Sequence, residues 1–440
     1  MFRFRISAFL LVFLSQFLFS QQYDFEKLDR YFDSLKENNR FMGTISLSKG
    51  NELIYTRSIG FLDFENNILL DSNSKFRIGS ISKTFTSVLV LKSEEDGKLN
   101  LDDTIEKFFP DLPNSENITI ENLLSHRSGV FNFTDSPEYI KYSIHPKSRE
   151  ELIKIISNFD PVFKPGRRSE YSNSNYILLT IILEKLYSKN YSDILSEKIT
   201  KPYELNNTYY GDKVDIKNNE AKSYIYAGKW MPQDETDPSV PLGAGGIVSN
   251  PSDLAKFSYL LFSGKILMNQ SLEKMKKING QYGLGIFTIP FYKRTAFGHT
   301  GGIDGFSSIF AHFTDDEVSY VLNSNGTNFN NNDISIAVLS AVFDKPYEIP
   351  TFSSYDYLPK DLKELLGLYS SEEIPLIIEV TMEGSVLLIQ ATGQPRIPLE
   401  AVEENNFKSD IVGVEIEFKP EKNSFILRQN GAKIKFVKNK

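Results

Sequence analysis

The spacing of apolar residues changes period twice along the chain, and this alternation limits the fold more than any other feature. Residues 42–47 and 53–55 are short β-rich runs around a Lys49-Gly50-Asn51 turn, and residues 61–70 repeat the pattern. Between residues 81 and 95 the period lengthens: Ile81, Phe85, Val88, Leu89 and Leu91 recur at helical spacing, and Gly97 ends the run. Further helical patterns occupy residues 25–35, 120–124, 151–159, 176–187 and 254–262, the last entered through Asn250-Pro251 with Asp253 in its first turn. The period returns to two at residues 283–289, 295–298, 306–313 and 319–323. Strands at both ends with helices between them predict an α+β domain, in which an antiparallel sheet is completed by distant segments and flanked by helices.

The chain has 440 residues, more than one ordinary domain needs, and its 40% hydrophobic content is too high for disorder. Around residues 345–360 the composition shifts to Pro, Ser and Tyr, as in a linker. Beyond it, alternating runs at 374–381, 386–391, 397–402, 412–418, 424–428 and 433–437 are separated by turns such as Glu383-Gly384 and Asn430-Gly431. They predict a small β-barrel or sandwich over residues 361–440. At the other end Arg3 and Arg5 precede an apolar run, residues 6–19, which closes in Ser20 before Gln21-Gln22. This reads as a secretory signal peptide over residues 1–20, its apolar run shorter than the roughly 20 residues that cross a bilayer; the alternative is a retained N-terminal anchor. The expected organisation is a leader, a domain over residues 23–344, a linker over 345–360 and the β domain. The mature protein is expected to be secreted or periplasmic, with no stable membrane span.

Zero cysteines exclude thiol nucleophiles, disulfides and Cys-ligated metals, and four histidines leave few imidazoles. With no His-Glu-x-x-His pattern, no metal and no cofactor are expected. A net charge of -8 forces no basic face, so no nucleic-acid partner is expected. Covalent catalysis would run through Ser, Thr, Lys, Tyr or a carboxylate.

A serine and a lysine three residues apart share one face of a helix, which makes Ser-x-x-Lys a local route to an activated hydroxyl. The pattern occurs at Ser46/Lys49, Ser72/Lys75, Ser80/Lys83 and Ser271/Lys274. Ser46 lies in a strand, Ser72 in a polar loop and Ser271 in a charged helix expected to be exposed. Only Ser80 opens a mostly apolar helix, where the macrodipole favours developing negative charge and burial lowers the lysine pKa. The competing reading of Ser80 is an ordinary helix N-cap. Tyr171-Ser172-Asn173 follows a Lys164-Pro165-Gly166 turn and is the only Tyr-x-Asn among 22 tyrosines. His299-Thr300-Gly301-Gly302 stands where strands begin, with Gly305 and Phe306 after it.

In this order, these three elements resemble the signature elements of the serine β-lactamase and penicillin-binding-protein superfamily. The resemblance is to the class C β-lactamase-related branch, which includes esterases, D-amino-acid peptidases and other serine hydrolases. It extends over residues 23–344 and is supported by residues 76–86, by Leu123-Leu124-Ser125-His126-Arg127-Ser128-Gly129, by Phe163-Lys164-Pro165-Gly166 and by Gly243-Ala244-Gly245-Gly246-Ile247. It implies a sheet flanked by helices plus a mostly helical subdomain. The C-terminal region resembles the lipocalin-like β-barrel often appended to such hydrolases.

The resemblance implies that Ser80 attacks a carbonyl to form an acyl-enzyme, that Lys83 receives or relays its proton, and that Tyr171 serves as general base and then acid. Asn173 is implied to hold Lys83 and the acyl-side amide. The N–H groups of Ser80 and Gly302 are implied to form the oxyanion hole, with Thr300 and Gly301 in the same substrate-facing strand. One departure stands out: the third element ordinarily begins with a lysine that attracts a substrate carboxylate, and here it begins with His299, mostly neutral near pH 7. This favours esters, amides or D-peptides lacking that anion, although Lys293 or Arg294 could supply a charge from the preceding segment.

His126 is expected to pack rather than to react, as are His145 and His312. Gly243–Gly246 is expected to form a tight wall beside the substrate. Arg167-Arg168 is read as solvated loop charge. The favoured function is an exported serine hydrolase acting on a small-molecule or short peptide substrate. The alternatives are a β-lactamase or D-Ala-D-Ala carboxypeptidase, and a non-catalytic binding protein on the same fold. The oligomeric state is left open.

Overall fold

The computed structural model describes residue 23 and residues 25–226, 228–352, 359–384, 386–392, 394, 396–429 and 431–439. The leader expected over residues 1–20 and part of the expected linker lie outside the described residues.

The first helix, α1 (Glu26–Glu37), turns Leu28, Tyr31, Phe32 and Leu35 to the interior at the spacing of one helix face. Each such side chain contributes about 1.5–3 kcal/mol relative to leaving it in water. Strands β1 (Phe41–Lys49) and β2 (Glu52–Ile59) follow as a hairpin. Far along the chain β3 (Phe287–Phe291), β4 (Arg294–Ile303), β5 (Phe306–Phe313) and β6 (Val318–Thr327) complete the same antiparallel sheet, in the order β3-β4-β5-β6-β1-β2. The first strand of this sheet in chain order pairs with its last, Ile45 facing Leu322, so the sheet joins distant segments as the sequence predicts.

Between the two halves of the sheet run α2 (Ser82–Glu95), α3 (Asn173–Tyr187) and α4 (Pro251–Phe262). Ile177, Leu178, Ile181 and Ile182 of α3 join Phe85, Val88 and Leu89 of α2 in one core, which reaches the sheet at Phe310 and Val321. On the opposite face α1 and α5 (Asn331–Val342) pack against Ile45, Ala311 and Leu322. The domain is thus a helix–sheet–helix sandwich, an α+β architecture.

A closed barrel of eight antiparallel strands runs from Gly367–Ser370 to Ala432–Lys438, and its last strand pairs back onto its first. Tyr369, Phe407, Phe418, Phe425 and Phe436 fill its interior. Closure decides between the barrel and the sandwich that the sequence left open, and it removes exposed strand edges.

Several expectations are corrected. The strand anticipated at residues 283–289 starts only at Phe287, because Gly285 takes a φ of 74° and the Gly283 N–H bonds back to Ile286 O at 2.9 Å. Helix α3 begins at Asn173 rather than 176. Ser271, expected on an exposed helix, is buried. The barrel has two strands beyond the six expected, Gly367–Ser370 and Asn406–Ser409. Among the described residues no helix is long and apolar enough to cross a membrane, and no cluster of three or more His, Asp or Glu side chains is placed to hold a metal.

Candidate active site

Ser80 sits in a 3-10 turn, Gly79–Ile81, that feeds directly into α2. Its hydroxyl caps neither helix, so the N-cap reading does not hold. Oγ lies instead between two groups: the Tyr171 hydroxyl donates to it at 2.7 Å, and Lys83 Nζ stands 2.9 Å away. Lys83 is the second residue of α2 and one turn on from Ser80, which is why a spacing of three brings its amine back over Ser80. Tyr171 lies just before α3 and Asn173 is the first residue of that helix.

Lys83 is fully enclosed. Besides Ser80, its Nζ contacts Asn173 Oδ1 at 2.8 Å and the Ala244 carbonyl at 2.7 Å. Burial holds its amine well below the usual lysine pKa. Burial likewise pushes the Tyr171 phenol up, against the lowering influence of its bond to Ser80. Both displacements favour the uncharged forms: a phenol that keeps its proton, and an amine that gives up its proton more readily than a free lysine. Asn173 is oriented in turn: its Nδ2 donates to Thr134 Oγ1 at 3.0 Å and its backbone N–H to Asn132 Oδ1 at 2.8 Å.

The third element enters along β4. Strand β3 pairs with β4 only as far as Phe287 opposite Gly298, so His299–Ile303 presents a free edge beside Ser80. Gly79 has a φ of 50°, and a Cβ there would stand 2.7 Å from Gly302 N. Only glycine brings the Gly79–Ser80 peptide this close to Gly302. At Gly301 a Cβ would fall 2.0 Å from Ile78 O, so glycine is again required. His299 is buried, its Nδ1 contacts Thr300 O, and burial depresses its pKa to about 3.

Two clefts open on either side of Ser80. One, of about 440 Å³, is lined by Tyr171, Tyr282, Phe287, Thr288, His299 and Thr300. The other, of about 350 Å³, is lined by Phe133, Tyr139, Asn173, Ala244, Gly245 and Ile303. Neither lining includes a lysine or arginine among the described residues. Arg294 supplies no charge here, because its Nε donates to both carboxylate oxygens of Asp316, at 3.1 and 3.0 Å.

All eight expected site residues converge on this place. Sequence reasoning missed the Ala244 carbonyl, Thr134 and Tyr282, which carry no local signature. Ala244 and Gly245 of the Gly243–Gly246 segment line the cleft beside Ser80, but a backbone oxygen aimed at Lys83 has no signal in residue type. His126, expected to pack, lies tilted against the Tyr171 ring with centroids 4.5 Å apart, while His312 stacks on Phe262.

The chain is similar to several known proteins. The β-lactamase family model covers residues 28–343. The chain belongs to the β-lactamase family. Penicillin-binding protein 4* of Bacillus subtilis (strain 168) is 26% identical over 459 residues, covering 94% of this chain and 98% of the relative. Teichoic acid D-alanine hydrolase of Staphylococcus aureus (strain NCTC 8325 / PS 47) is 28% identical over 318 residues, 69% of this chain and 75% of the relative. Among solved structures, D-amino acid amidase from Ochrobactrum anthropi SV3 with L-phenylalanine amide aligns with a TM-score of 0.64 and 25% identity, over 72% of this chain and 98% of the amidase. The octameric penicillin-binding protein homologue from Pyrococcus abyssi has the same fold, at a TM-score of 0.66 and 24% identity, over 94% of this chain and all (100%) of the homologue. As a member of the β-lactamase family, the chain is a serine hydrolase of the β-lactamase type.

Proposed function

We propose that the chain is an exported serine hydrolase that cleaves an ester or amide bond through a Ser80 acyl-enzyme. The observation that carries this reading is Ser80 Oγ held between Tyr171 at 2.7 Å and Lys83 at 2.9 Å, at the junction of two clefts. Lys83, neutral through burial, takes the Ser80 proton as Oγ bonds to the substrate carbonyl carbon. The resulting oxyanion lies against the N–H groups of Ser80 and Gly302, an interaction whose removal costs about 3–4 kcal/mol in comparable sites. As the intermediate collapses, the bond to the leaving atom breaks and its electron pair takes the Tyr171 proton. Tyr171 recovers a proton from the Lys83 ammonium, and water releases the acyl group by the reverse steps. The family resemblance implies Tyr171 as the base; the opposite pKa displacements of the two groups support Lys83 as the first acceptor.

Tyr171 lines only the first cleft, so the leaving group belongs there and the acyl group in the cleft beside Asn173. The leaving-group cleft is aromatic and uncharged, and His299 stays neutral. This supports leaving groups without a carboxylate, and argues against penicillins and D-Ala-D-Ala peptides as main substrates. The D-alanine hydrolase and the D-amino acid amidase among the similar proteins make D-aminoacyl esters and amides the first class to try. Export is supported by the Arg3/Arg5 and apolar pattern of residues 1–20.

The test is a panel of D- and L-alanine esters, amides, D-Ala-D-Ala peptides and penicillin, run with the mature protein and its Ser80→Ala variant. Hydrolysis of esters or amides that disappears in the variant supports the reading. Penicillin turnover exceeding ester turnover returns the β-lactamase reading, and no Ser80-dependent reaction at all leaves a binding protein.

A further inference from the structure

His126 is buried directly after the Ile120–Leu124 helix, with a left-handed φ of 56°. A residue with a Cβ keeps this conformation where surrounding contacts over-determine it. The contacts lead to the segment that carries Tyr171. The His126 carbonyl accepts the N–H of Glu170 at 2.9 Å, and its Nδ1 accepts the N–H of Ser172 at 3.2 Å. Its ring lies against the Tyr171 ring at 4.5 Å between centroids and 33° between planes. One residue therefore grips the chain on both sides of Tyr171 and the face of its ring.

The neighbours of His126 reinforce this grip. Asn175 Nδ2 lies 3.3 Å from the same Nδ1, and Asn175 Oδ1 accepts from Ser128 Oγ at 2.6 Å, which fixes the amide. Tyr282 packs edge-on against His126, 4.9 Å away, and lies 6.0 Å from Tyr171. An acceptor role for Nδ1 places the ring proton on Nε2, and burial keeps the ring neutral. A phenylalanine would fill the same space but could not accept from Ser172.

We propose that His126 is a positioning residue for Tyr171, aiming the phenol at Ser80 Oγ and at the leaving atom as the tetrahedral intermediate collapses. This rests on the reading of Tyr171 as proton donor to the leaving group. A displacement of the phenol on the order of 1 Å would slow that step by about 100-fold.

Leaving-group dependence separates positioning from general stability. Methoxide needs the Tyr171 proton to depart, whereas p-nitrophenolate departs without one. For His126→Phe, kcat/KM on methyl butyrate is expected to fall about 100-fold while p-nitrophenyl butyrate falls far less. His126→Asn, which tolerates the left-handed conformation and restores an acceptor facing Ser172, is expected to recover part of the ratio. Tyr171→Phe is the reference and is expected to show the same selective loss. If both esters fall by one factor in both His126 variants, or the ratio stays at the wild-type value, the proposal is overturned. If Tyr171→Phe itself shows no selectivity, the proton-donor reading fails and the proposal falls with it. Should His126→Phe not fold, the ratio in His126→Asn decides alone: a wild-type ratio in a protein with a lowered unfolding midpoint means a packing role only.

Discussion

The Tyr171 hydroxyl donates to Ser80 Oγ across 2.7 Å, although the two residues are 91 positions apart in sequence. The bond closes a chain from phenol to serine to lysine that contains no carboxylate and no charged imidazole. Proton transfer as proposed for this site depends on burial rather than on ion pairing, and the consequences are measurable.

Replacing Lys83 by methionine removes the proposed proton acceptor while keeping a long apolar stem in the core. Acylation begins at Ser80 whatever the leaving group, so kcat/KM is expected to fall about 10²- to 10⁴-fold on methyl and p-nitrophenyl esters alike. In the wild type, kcat/KM should rise with pH through the Lys83 pKa, which lies below the usual 10.5, because only the neutral amine accepts a proton. A rate that falls as pH rises from 6 to 8 in a stable protein would point to a different acceptor.

Stability should depend on pH in a separate window. His299 is depressed to about 3 and His312 to about 4, both from 6.5. Below 6.5 the unfolded chain binds protons that the folded chain refuses, so stability is lost as pH falls. Each histidine contributes a slope of about 1.4 kcal/mol per pH unit between its two pKa values. Urea midpoints measured between pH 7 and pH 4.5 should fall steadily, and His312→Gln should flatten the curve.

His299→Lys would place an ammonium at the start of the third element. The expected result is a gain in penicillin acylation relative to ester hydrolysis of about tenfold, equivalent to about 1.4 kcal/mol for one charged hydrogen bond. Competition between penicillin and an ester substrate measures the ratio. No change would mean that His299 does not set leaving-group preference.

Gly79→Ala tests the oxyanion geometry. The new Cβ meets Gly302 N at 2.7 Å and adopts a φ of 50°, costing about 1–3 kcal/mol in backbone strain alone. The variant should fold with a lowered unfolding midpoint and lose most acylation, read as slower labelling by a fluorophosphonate. Labelling at the wild-type rate would place the oxyanion elsewhere.

The barrel is joined to the catalytic domain by a buried Arg40, which pairs with Glu400, while Asn328 Nδ2 donates to the same carboxylate at 2.8 Å. Asp410 stands 3.9 Å from the guanidinium. Glu400→Gln should lower stability by about 1–2 kcal/mol, with Asp410 still beside the arginine. Ester hydrolysis should be unchanged, since neither residue lines a catalytic cleft. A change in kcat would give the barrel a part in the reaction.

Much of the site was legible because its spacing follows helix geometry. Ser80 and Lys83 must share a face, and Tyr171 and Asn173 bracket the start of a helix that hydrophobic periodicity reveals. The sheet was legible from the change of period, and β5 matched residues 306–313 at both ends. What escaped depends on distant backbone. The Ala244 carbonyl reaches Lys83 from 161 residues away, and the hold of His126 on residues 170–172 needs a left-handed turn that no local pattern announces. Asn406–Ser409 is only 4 residues long, too short for alternation to register. Helix α5 follows an asparagine-rich entry that reads as loop, and packing of Ile334, Val338 and Leu339 against the sheet secures it.

The proposed reaction requires that Ser80 become acylated during turnover. Intact-protein mass spectrometry after acid quenching of the enzyme with a p-nitrophenyl ester measures this directly. One added acyl group is expected, mapped to the peptide containing Ser80 and absent from Ser80→Ala. Turnover without that adduct under conditions of accumulating product burst, or an adduct that persists in Ser80→Ala, would contradict it.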